Sequence, residues 1–501
     1  MTKYINNHTQ QPHKLQTHDE GFKRGLKDRH VQLIALGGII GSGYFLGTGE
    51  VVNNVGPSAF LAYILGGIIV YLTMICMGEL AVAIPISGSF ITYTSEFISP
   101  VIACGVGWSY WISWIAYIPA ECIAGGIIVQ HFTGVNGYIW ALAFGLLITY
   151  INLAKVNTFG EIEFWLAIIK ISALMGFVIL SILIFLGVIH GSQPAEIIGG
   201  KYILHDGGLF PNGTMALLTA MVLLLVNYQG SEIIGLAAGE SINPGRMIPM
   251  AINTVTLRIL MIYIVPVFCL VLIYPWRLAG LKNSVFADAL HFYGLNWAGV
   301  ITSLVTLSAT LSCSNSGVYG IVRSLNALAR NDMAPRRLSQ LNKNSVPQNA
   351  AIVTLIAIWI LLTAGYFFQQ SMLYIALLLV SGFTGAMAWI SLCWAQINFR
   401  KRLYKAGYTT ADLRYITPGY PYTGYTAIIL MVICLLFLVI NNDITYKIAF
   451  IIGLISFIAP IIVYSLRQYS KRNLNLNREI NNRIQFKDIF PEKAEDDARQ
   501  K

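Results

Sequence analysis

Long runs of apolar residues alternate with short polar connections along almost the whole chain. About twelve of these runs reach roughly 20 residues, the length at which a helix crosses the hydrocarbon core of a bilayer. They begin near Val31, Ser58, Val101, Gly137, Phe159, Thr214, Met250, Gly299, Ala350, Ser371, Tyr425 and Tyr446. The pattern predicts an all-α integral membrane protein with about twelve transmembrane helices, numbered here spans 1 to 12.

Small and polar residues interrupt spans 1 and 6 near their middles. Span 1 contains GGIIGSG from Gly37 to Gly43, and span 6 contains NYQGSE from Asn227 to Glu232. Glycine in a helix interior is less favourable than alanine by about 1 kcal/mol, and a freed backbone group inside a bilayer has no water to bond. We therefore expect both helices to be broken there for a functional reason.

The two interruptions share a short pattern. The Gly-Ser pairs at Gly41 and Gly230 are each followed, eight and nine residues later, by the Gly-Glu pairs at Gly49 and Gly239. With twelve spans, spans 1 and 6 cross the membrane in opposite directions, so the pattern predicts an inverted 5+5 helix repeat with broken helices 1 and 6. The predicted units are a tail of residues 1–29, a first repeat of 30–190, a second repeat of 191–400, spans 11 and 12 within 401–470, and a tail of 471–501.

Composition and charge narrow the class of protein. Hydrophobic residues make up 56% of the 501 residues and charged residues only 11%, which is too little polar surface for a soluble domain of this size. The basic residues of the tails and of the connections after spans 8 and 10 fall on one side, so we expect a multi-pass protein of the cytoplasmic (inner) membrane with both termini in the cytoplasm. The net charge of +10 is thus a topology signal, and the expected partners include the lipid bilayer but no nucleic acid.

A broken helix exposes backbone groups that can bind a charged ligand. Its second half begins with free N–H groups, which suit a carboxylate, and its first half ends with free carbonyl groups, which suit an ammonium group. Two facing breaks would therefore bind both ends of a small zwitterion such as an α-amino acid. The alternative is that the glycines only allow close packing between helices.

Five segments, in order, carry a resemblance to a known family. They are LKDRHVQLIALGGIIGSGYFLGTG, MGELAVAIPISGSFITYTSEFISP, FGEIEFWLAIIKISA, GSEIIGLAAGESINPGRMIPMAI and SNSGVYGIVRSLNALARNDMAP. From about Gly25 to Ser470 the chain resembles the amino acid permeases of the amino acid-polyamine-organocation superfamily, in its bacterial and fungal branch. The resemblance implies a leucine-transporter-like fold, alternating access, and import of amino acids coupled to protons.

The resemblance also implies where the substrate binds. The substrate carboxylate is expected on the span 1 break at Gly41–Gly43, and the amino group is expected near carbonyl groups of both breaks. The residues expected at this site are Ile39, Ile40, Gly41, Ser42, Gly43, Val226, Asn227, Tyr228 and Gly230.

Two ionisable residues are candidates for proton coupling. Lys170 lies well inside span 5, where a charge is costly. The resemblance implies that its ammonium occupies the place of sodium in sodium-driven relatives and ties span 5 to spans 1 and 8. The alternative is that it snorkels towards the cytoplasm. Glu232, inside the span 6 break, either carries a proton or organises the unwound segment.

Other polar residues in the spans allow two interpretations each. Glu121, after Pro119 in span 3, either faces the pocket or relieves the proline kink. Ser314 in span 8 either lines the site near Lys170 or packs between helices. Five further glutamates are expected at cytoplasmic helix ends in gate or capping roles: Glu79, Glu96, Glu161, Glu163 and Glu240.

The usual signatures of an enzyme are missing from the sequence. Gly200-Lys201 lacks the upstream spacing of a phosphate loop, and no two histidines are spaced four apart for zinc. The seven cysteines lie singly in apolar segments, so neither a disulfide framework nor a metal site is expected. We therefore expect no enzyme activity, cofactor or metal. A channel is the rival of a different class.

The segment GSEIIGLAAGESINPG indicates which substrate to test first. It is most similar to the lysine-specific permeases, and Glu121 and Glu232 could meet a cationic side chain. Lysine or another basic amino acid is therefore the favoured substrate. A permease for neutral amino acids and an exchanger of amino acids are the alternatives.

Overall fold

The computed structural model describes residues 40–86, 89–153, 159–189, 203, 206–232, 235, 247–250, 252, 257, 259–342, 346–471 and 486–489. Eight helical stretches among them are long and apolar enough to cross a membrane. The first, Gly43–Ala83, is interrupted at Gly56, whose φ of 79° and ψ of −156° do not fit an α-helix. This stretch therefore comprises two spans.

Every predicted span corresponds to helical structure in the described residues, and the all-α architecture is confirmed there. Short helices Ser89–Phe97 and Val285–Phe292 follow spans 2 and 7. In chain order the spans are Gly43–Gly47 with Thr48–Val55, Ala59–Ala83, Pro100–Thr133, Gly137–Leu153, Phe159–Phe185, Gly213–Thr219 with Met221–Leu225 and Val226–Tyr228, Ile259–Ile264 with Val265–Ile273, Asn296–Arg330, Gln348–Ala364, Gln370–Lys405, Tyr422–Ile440 and Ile444–Lys471.

At both predicted breaks the described residues include non-helical backbone, although only one half of each span is described: the second half of span 1 and the first half of span 6. In span 1, Ile40 and Gly41 are not helical, and winding begins at Ser42. In span 6, the 3-10 turn Val226–Tyr228 ends at Gln229, whose φ of −61° and ψ of 148° are extended. Gly230 follows with a φ of 95°, a conformation that glycine adopts without strain. The part of span 1 before Ile40 lies outside the described residues.

Span 3 lies at the centre of the bundle. It packs against spans 4, 8, 10 and 12, and its side chains are buried along most of its length. Spans 9, 11 and 12 instead expose large apolar side chains such as Ile360, Ile429 and Leu466. Such a largely apolar outer surface is suited to lipid. The central position of span 3 allows its residues to reach both breaks.

A buried ion pair joins span 2 to span 10. Arg400 donates from Nη2 and Nε to the carboxylate of Glu79 at 2.5 and 2.6 Å, and Gln396 and the backbone N–H of Thr417 donate to the same carboxylate at 3.0 and 2.6 Å. Glu79 therefore has a full set of donors although it is buried. It lies near the end of span 2, as expected.

Glu96 also lies near a helix end, in the short helix Ser89–Phe97. Its carboxylate pairs with Arg402 at 2.5 Å, and the two side chains are only partly exposed. The side chains of Glu161 and Glu240 lie outside the described part of the chain, so their predicted roles stay predictions.

Candidate functional site

The span 1 break presents its first free N–H to a carboxylate of span 3. The backbone N–H of Ser42 donates to Glu121, at 3.0 Å to Oε1 and 2.9 Å to Oε2. The hydroxyl of Tyr117, one turn before Glu121, faces the same space beside Gly41 as this carboxylate. The hydroxyl of Ser42 accepts from Tyr374 of span 10 at 3.2 Å. The start of the second half of span 1 is thus held by an anion, as its dipole favours.

Gly41 has no space for a side chain. A Cβ there would collide with Oε1 of Glu121 and would lie 2.9 Å from both Cys313 Sγ and Tyr117 Oη. Spans 3 and 8 therefore approach the backbone of the break directly. Only glycine allows this approach without a shift of the surrounding side chains.

Gly43 brings the two breaks together. A Cβ at Gly43 would lie 2.6 Å from Oδ1 of Asn227 and 3.5 Å from Cγ1 of Val226, both in the 3-10 turn of span 6. Oδ1 of Asn227 is buried and has no hydrogen-bond partner among the described residues. An acceptor oxygen with unused capacity lies where the two interruptions meet, and such an oxygen suits an ammonium group.

Glu232 ties the span 6 break to two other spans. Its carboxylate accepts from the backbone N–H of Gly230 at 3.0 and 3.1 Å, from the hydroxyl of Tyr110 at 3.0 Å, and from Nε1 of Trp389 at 3.0 Å. Tyr110 lies on span 3 and Trp389 on span 10. Each break thus offers a backbone N–H to a buried glutamate.

Four buried tyrosines, which we name the tyrosine cluster, pack beside the breaks: Tyr44, Tyr63, Tyr228 and Tyr263. Tyr263 lies with its ring centroid 4.8 Å from that of Tyr44 and 4.6 Å from that of Tyr228. Asn227 donates to the hydroxyl of Tyr63 at 2.6 Å, and Tyr228 donates to the backbone carbonyl of Tyr63 at 2.8 Å. The described residues of both breaks, 40–43 and 226–232, are buried like these rings.

Lys170 is buried and belongs to a chain of polar groups between spans 5 and 8. Its Nζ donates to Oγ of Ser312 at 2.7 Å, and Ser312 in turn donates to Oε2 of Glu163 at 2.5 Å. The predicted link between spans 5 and 8 is thus present as a hydrogen bond. The predicted link to span 1 stays a prediction, because the residues before Ile40 lie outside the described part.

The remaining predicted site residues differ in where the structure places them. Ile40 and Val226 are buried at the two breaks, whereas Ile39 lies outside the described residues. Ser314 is buried on span 8, but its Oγ has no hydrogen-bond partner in the described chain. Its proposed part in the pocket stays a prediction.

Several residues of the site were not singled out by the sequence. The partners Tyr110 and Trp389 and the tyrosine-cluster members Tyr44, Tyr63 and Tyr263 lie in ordinary apolar runs, where an aromatic ring gives no distinct signal. Glu163 was named only for a gate or capping role at a helix end, and the structure instead places it buried against Ser312. Its spacing of seven residues from Lys170, which puts both on nearly the same helix face, was the signal for that position.

Metal-binding clusters are not a feature of the described residues. Within them, no three His, Cys, Asp or Glu side chains are grouped so that they could hold a metal ion. The seven cysteines are buried free thiols.

The sequence of this chain is similar to a known family of proteins. The model of the family described as amino acid permease matches residues 30–477. The amino-acid permease RocC of Bacillus subtilis (strain 168) is 36% identical over 472 residues, which cover 93% of this chain and 97% of that protein. The lysine-specific permease LysP of Escherichia coli (strain K12) is 34% identical over 427 residues, which cover 83% of this chain and 86% of that protein.

A solved structure has the same architecture. The crystal structure of a manganese transporter of Eremococcus coleocola, in complex with an aromatic bis-isothiourea compound, matches with a TM-score of 0.53 at 10% identity. The match covers 89% of this chain and 94% of that one, and at this identity it concerns the fold alone. The predicted leucine-transporter-like membrane fold is confirmed. The proteins of the matched family are membrane transporters of amino acids and not enzymes. Because the match extends over residues 30–477, we conclude that this chain belongs to the amino acid permease family.

Proposed function

We propose that this protein is a secondary active transporter that imports amino acids across the cytoplasmic membrane by proton-coupled alternating access. One observation carries the proposal. The two helix breaks meet at Gly43 and Asn227, where a Cβ on the glycine would lie only 2.6 Å from the amide oxygen of the asparagine. A ligand at this point has free backbone groups of both breaks within reach.

A zwitterionic amino acid suits both sides of this point. Its carboxylate binds the N–H groups of Gly41–Gly43 at the start of the second half of span 1, where the helix dipole favours an anion. Its ammonium group binds Oδ1 of Asn227 and the carbonyl groups that end the first halves of both spans, including those of Ile39 and Ile40. The ring of Tyr228 covers the bound molecule.

Coupling to protons is assigned to Lys170 and Glu232. The hydrogen bond from Lys170 to Ser312 holds span 5 against span 8 while the ammonium is charged. When the proton leaves, this charge-assisted bond weakens and span 5 can move relative to span 8. Glu232 keeps the span 6 break in shape through its three donor groups and is the second candidate for the proton.

Lysine or another basic amino acid is the proposed substrate. The similarity of the span 6 segment to lysine-specific permeases and the 34% identity to LysP support this choice. The 36% identity to RocC and to RocE, also of Bacillus subtilis, keeps a wider choice of amino acids open. Transport of neutral amino acids, exchange of one amino acid for another, and a channel are the alternatives.

The proposed orientation puts both termini in the cytoplasm. Basic residues of the connections after spans 8 and 10, among them Arg336, Arg337 and Lys405, lie on the N-terminal side when the spans alternate in direction. Residues 30–190 and 191–400 then form the two inverted repeats, and spans 11 and 12 lie outside them.

Uptake into proteoliposomes tests the proposal. Each of the twenty amino acids, labelled, is offered with and without an inward proton gradient to the wild type, to Lys170→Met, and to Lys447→Met, which removes an exposed lysine of span 12 as a control. We expect at least one amino acid to accumulate above its external concentration in the wild type and in Lys447→Met.

The variants separate the parts of the proposal. Lys170→Met is expected to exchange internal for external amino acid but not to concentrate it. Uptake of no amino acid at any pH would refute the transporter assignment. Full accumulation by Lys170→Met would refute only its coupling role, and flux without accumulation in the wild type would favour a channel.

A further inference from the structure

We propose that Glu121 is an internal competitor of the substrate carboxylate: it occupies the N–H of Ser42 while the site is empty, and it takes up a proton when the substrate displaces it. The inference rests on the proposed function, because it concerns the same site. It adds a proton acceptor to the transport cycle that responds directly to substrate binding.

The hydrogen-bond geometry supports competition for one donor. Both carboxylate oxygens of Glu121 lie within 3.0 Å of the Ser42 nitrogen, so the single N–H is shared between them. The same N–H is the first donor at the start of the second half of span 1. A substrate carboxylate that accepts from the N–H of Ser42 must therefore replace Glu121.

Close packing prevents both carboxylates from sharing the break. Oε1 of Glu121 already lies in the space that a Cβ on Gly41 would fill, and Tyr117 and Cys313 close the sides. The Glu121 side chain is fully buried. A substrate carboxylate can thus enter only when Glu121 moves away from Ser42.

Displacement leaves Glu121 as a buried carboxylate without its backbone donor and next to a second negative charge. Both changes disfavour its charged form, since burial without hydrogen bonds and a nearby like charge each promote protonation. The proton comes from the aqueous phase, and Glu121 becomes a neutral carboxylic acid without any other bond being made or broken.

The groups that face Glu121 set the balance of charge around it. They come from its own span and from spans 5, 8 and 10, and are Tyr117, Cys122, Lys170, Cys313 and Tyr374. Lys170 is the only cation in this set, and its single charge already interacts with two carboxylates, those of Glu121 and Glu163. A substrate carboxylate at Ser42 adds a third negative charge, which one ammonium group does not offset.

The proposal has a consequence for substrate choice. A Glu121 that becomes neutral on substrate binding does not pair with a cationic side chain. A preference for lysine would then depend on other residues, and Glu121 would recognise the carboxylate that all amino acids share.

Infrared difference spectroscopy tests the proposal on the purified full-length protein in lipid. The probe is an equimolar mixture of the twenty amino acids, so that the test does not depend on which one is carried. Binding is followed in the same samples by the amide bands and by thermal stabilisation. The proteins compared are the wild type, Glu121→Gln, Glu121→Asp, and Asp288→Asn, which removes a carboxylate of the short helix Val285–Phe292 as a control.

We expect the mixture to produce the carbonyl band of a newly protonated carboxylic acid in the wild type and in Asp288→Asn. The band should be lost in Glu121→Gln and should appear at a shifted frequency in Glu121→Asp. The aspartate variant keeps the test valid if the glutamine variant does not fold.

A wild-type band that persists unshifted in Glu121→Asp, or binding without any such band, would overturn the proposal while the transport function stands. A mixture that neither binds nor is transported would refute the transport function itself, and this inference with it.

Discussion

Lys170 and Glu163 share one hydroxyl group. They lie about two turns apart on span 5, and the ammonium donates to Ser312 on span 8 while that same hydroxyl donates to the carboxylate. The arrangement places a buried cation and a buried anion on either side of one serine. A change of charge at either end therefore alters how span 5 is held against span 8.

Removal of the shared hydroxyl tests this link. Ser312→Ala should keep amino acid exchange but reduce proton-driven accumulation by about tenfold, because losing a hydrogen bond to a charged group costs about 1.5–3 kcal/mol. The measurement is the ratio of internal to external labelled amino acid in proteoliposomes. Ser308→Ala is the matched control, since that serine of span 8 donates to the backbone carbonyl of Val305 on its own helix. Equal accumulation by both variants would contradict a coupling role for Ser312.

Gly41→Ala tests the close approach at the span 1 break. The added methyl group would collide with the Glu121 carboxylate, so we expect substrate binding to fall by at least about tenfold, a loss that corresponds to roughly 1.4 kcal/mol. The measurement is equilibrium binding of the transported amino acid. Gly176→Ala in span 5 is the control, because a Cβ there has nothing within 4 Å. Wild-type affinity in Gly41→Ala would show that the break is more open than described.

The donors to Glu232 allow a graded test of how the span 6 break is held. Tyr110→Phe and Trp389→Phe each remove one donor from a buried carboxylate, and each should lower the free energy of unfolding by about 1–3 kcal/mol. Because the same carboxylate holds Gly230, both variants should also weaken substrate binding. Thermal unfolding and substrate binding are measured on the two single variants and on the double variant. We expect the effects of the two substitutions to be non-additive, which would show that the two donors are coupled. Strictly additive effects would indicate that the two donors do not act through one group.

The buried pair Glu79–Arg400 should dominate the stability of the ends of spans 2 and 10. Arg400→Ala leaves a buried carboxylate without its cation and should cost about 3–5 kcal/mol. Arg400→Lys should keep only part of the stability that Arg400→Ala loses, because lysine cannot bind the carboxylate with two parallel donors. The exposed pair Arg336–Asp332 is the control, and Arg336→Ala should leave the unfolding temperature close to that of the wild type because solvent screens the pair. Thermal unfolding in detergent measures both, and a similar small loss in the two alanine variants would contradict the assignment.

Much of the fold could be predicted from the hydropathy of the sequence and from the positions of its glycine residues. The predicted starts at Gly137 and Phe159 coincide with the helices Gly137–Leu153 and Phe159–Phe185, because a run of apolar residues must be helical in a bilayer. The breaks at Gly41 and Gly230 could be predicted because glycine in the middle of a span destabilises the helix, so its presence there indicates a functional requirement.

The contacts around the breaks could not be predicted in the same way. Ser42 and Glu121 are 79 residues apart, and no periodic pattern indicates which side chain of span 3 reaches the N–H of span 1. Tyr228 was predicted, but the other three members of the tyrosine cluster were missed because a buried tyrosine and a tyrosine at the lipid surface look alike in an apolar run. These contacts depend on how the spans pack, and this information is not contained in any single segment.

An experimental structure with the transported amino acid bound tests the central claim most directly. We predict that its carboxylate lies within hydrogen-bond distance of the N–H groups of Gly41–Gly43, that its ammonium group lies against Asn227, and that span 1 at Ile40 and span 6 at Gly230 are unwound. Continuous helical winding through these residues, or an amino acid bound away from both breaks, would contradict the account.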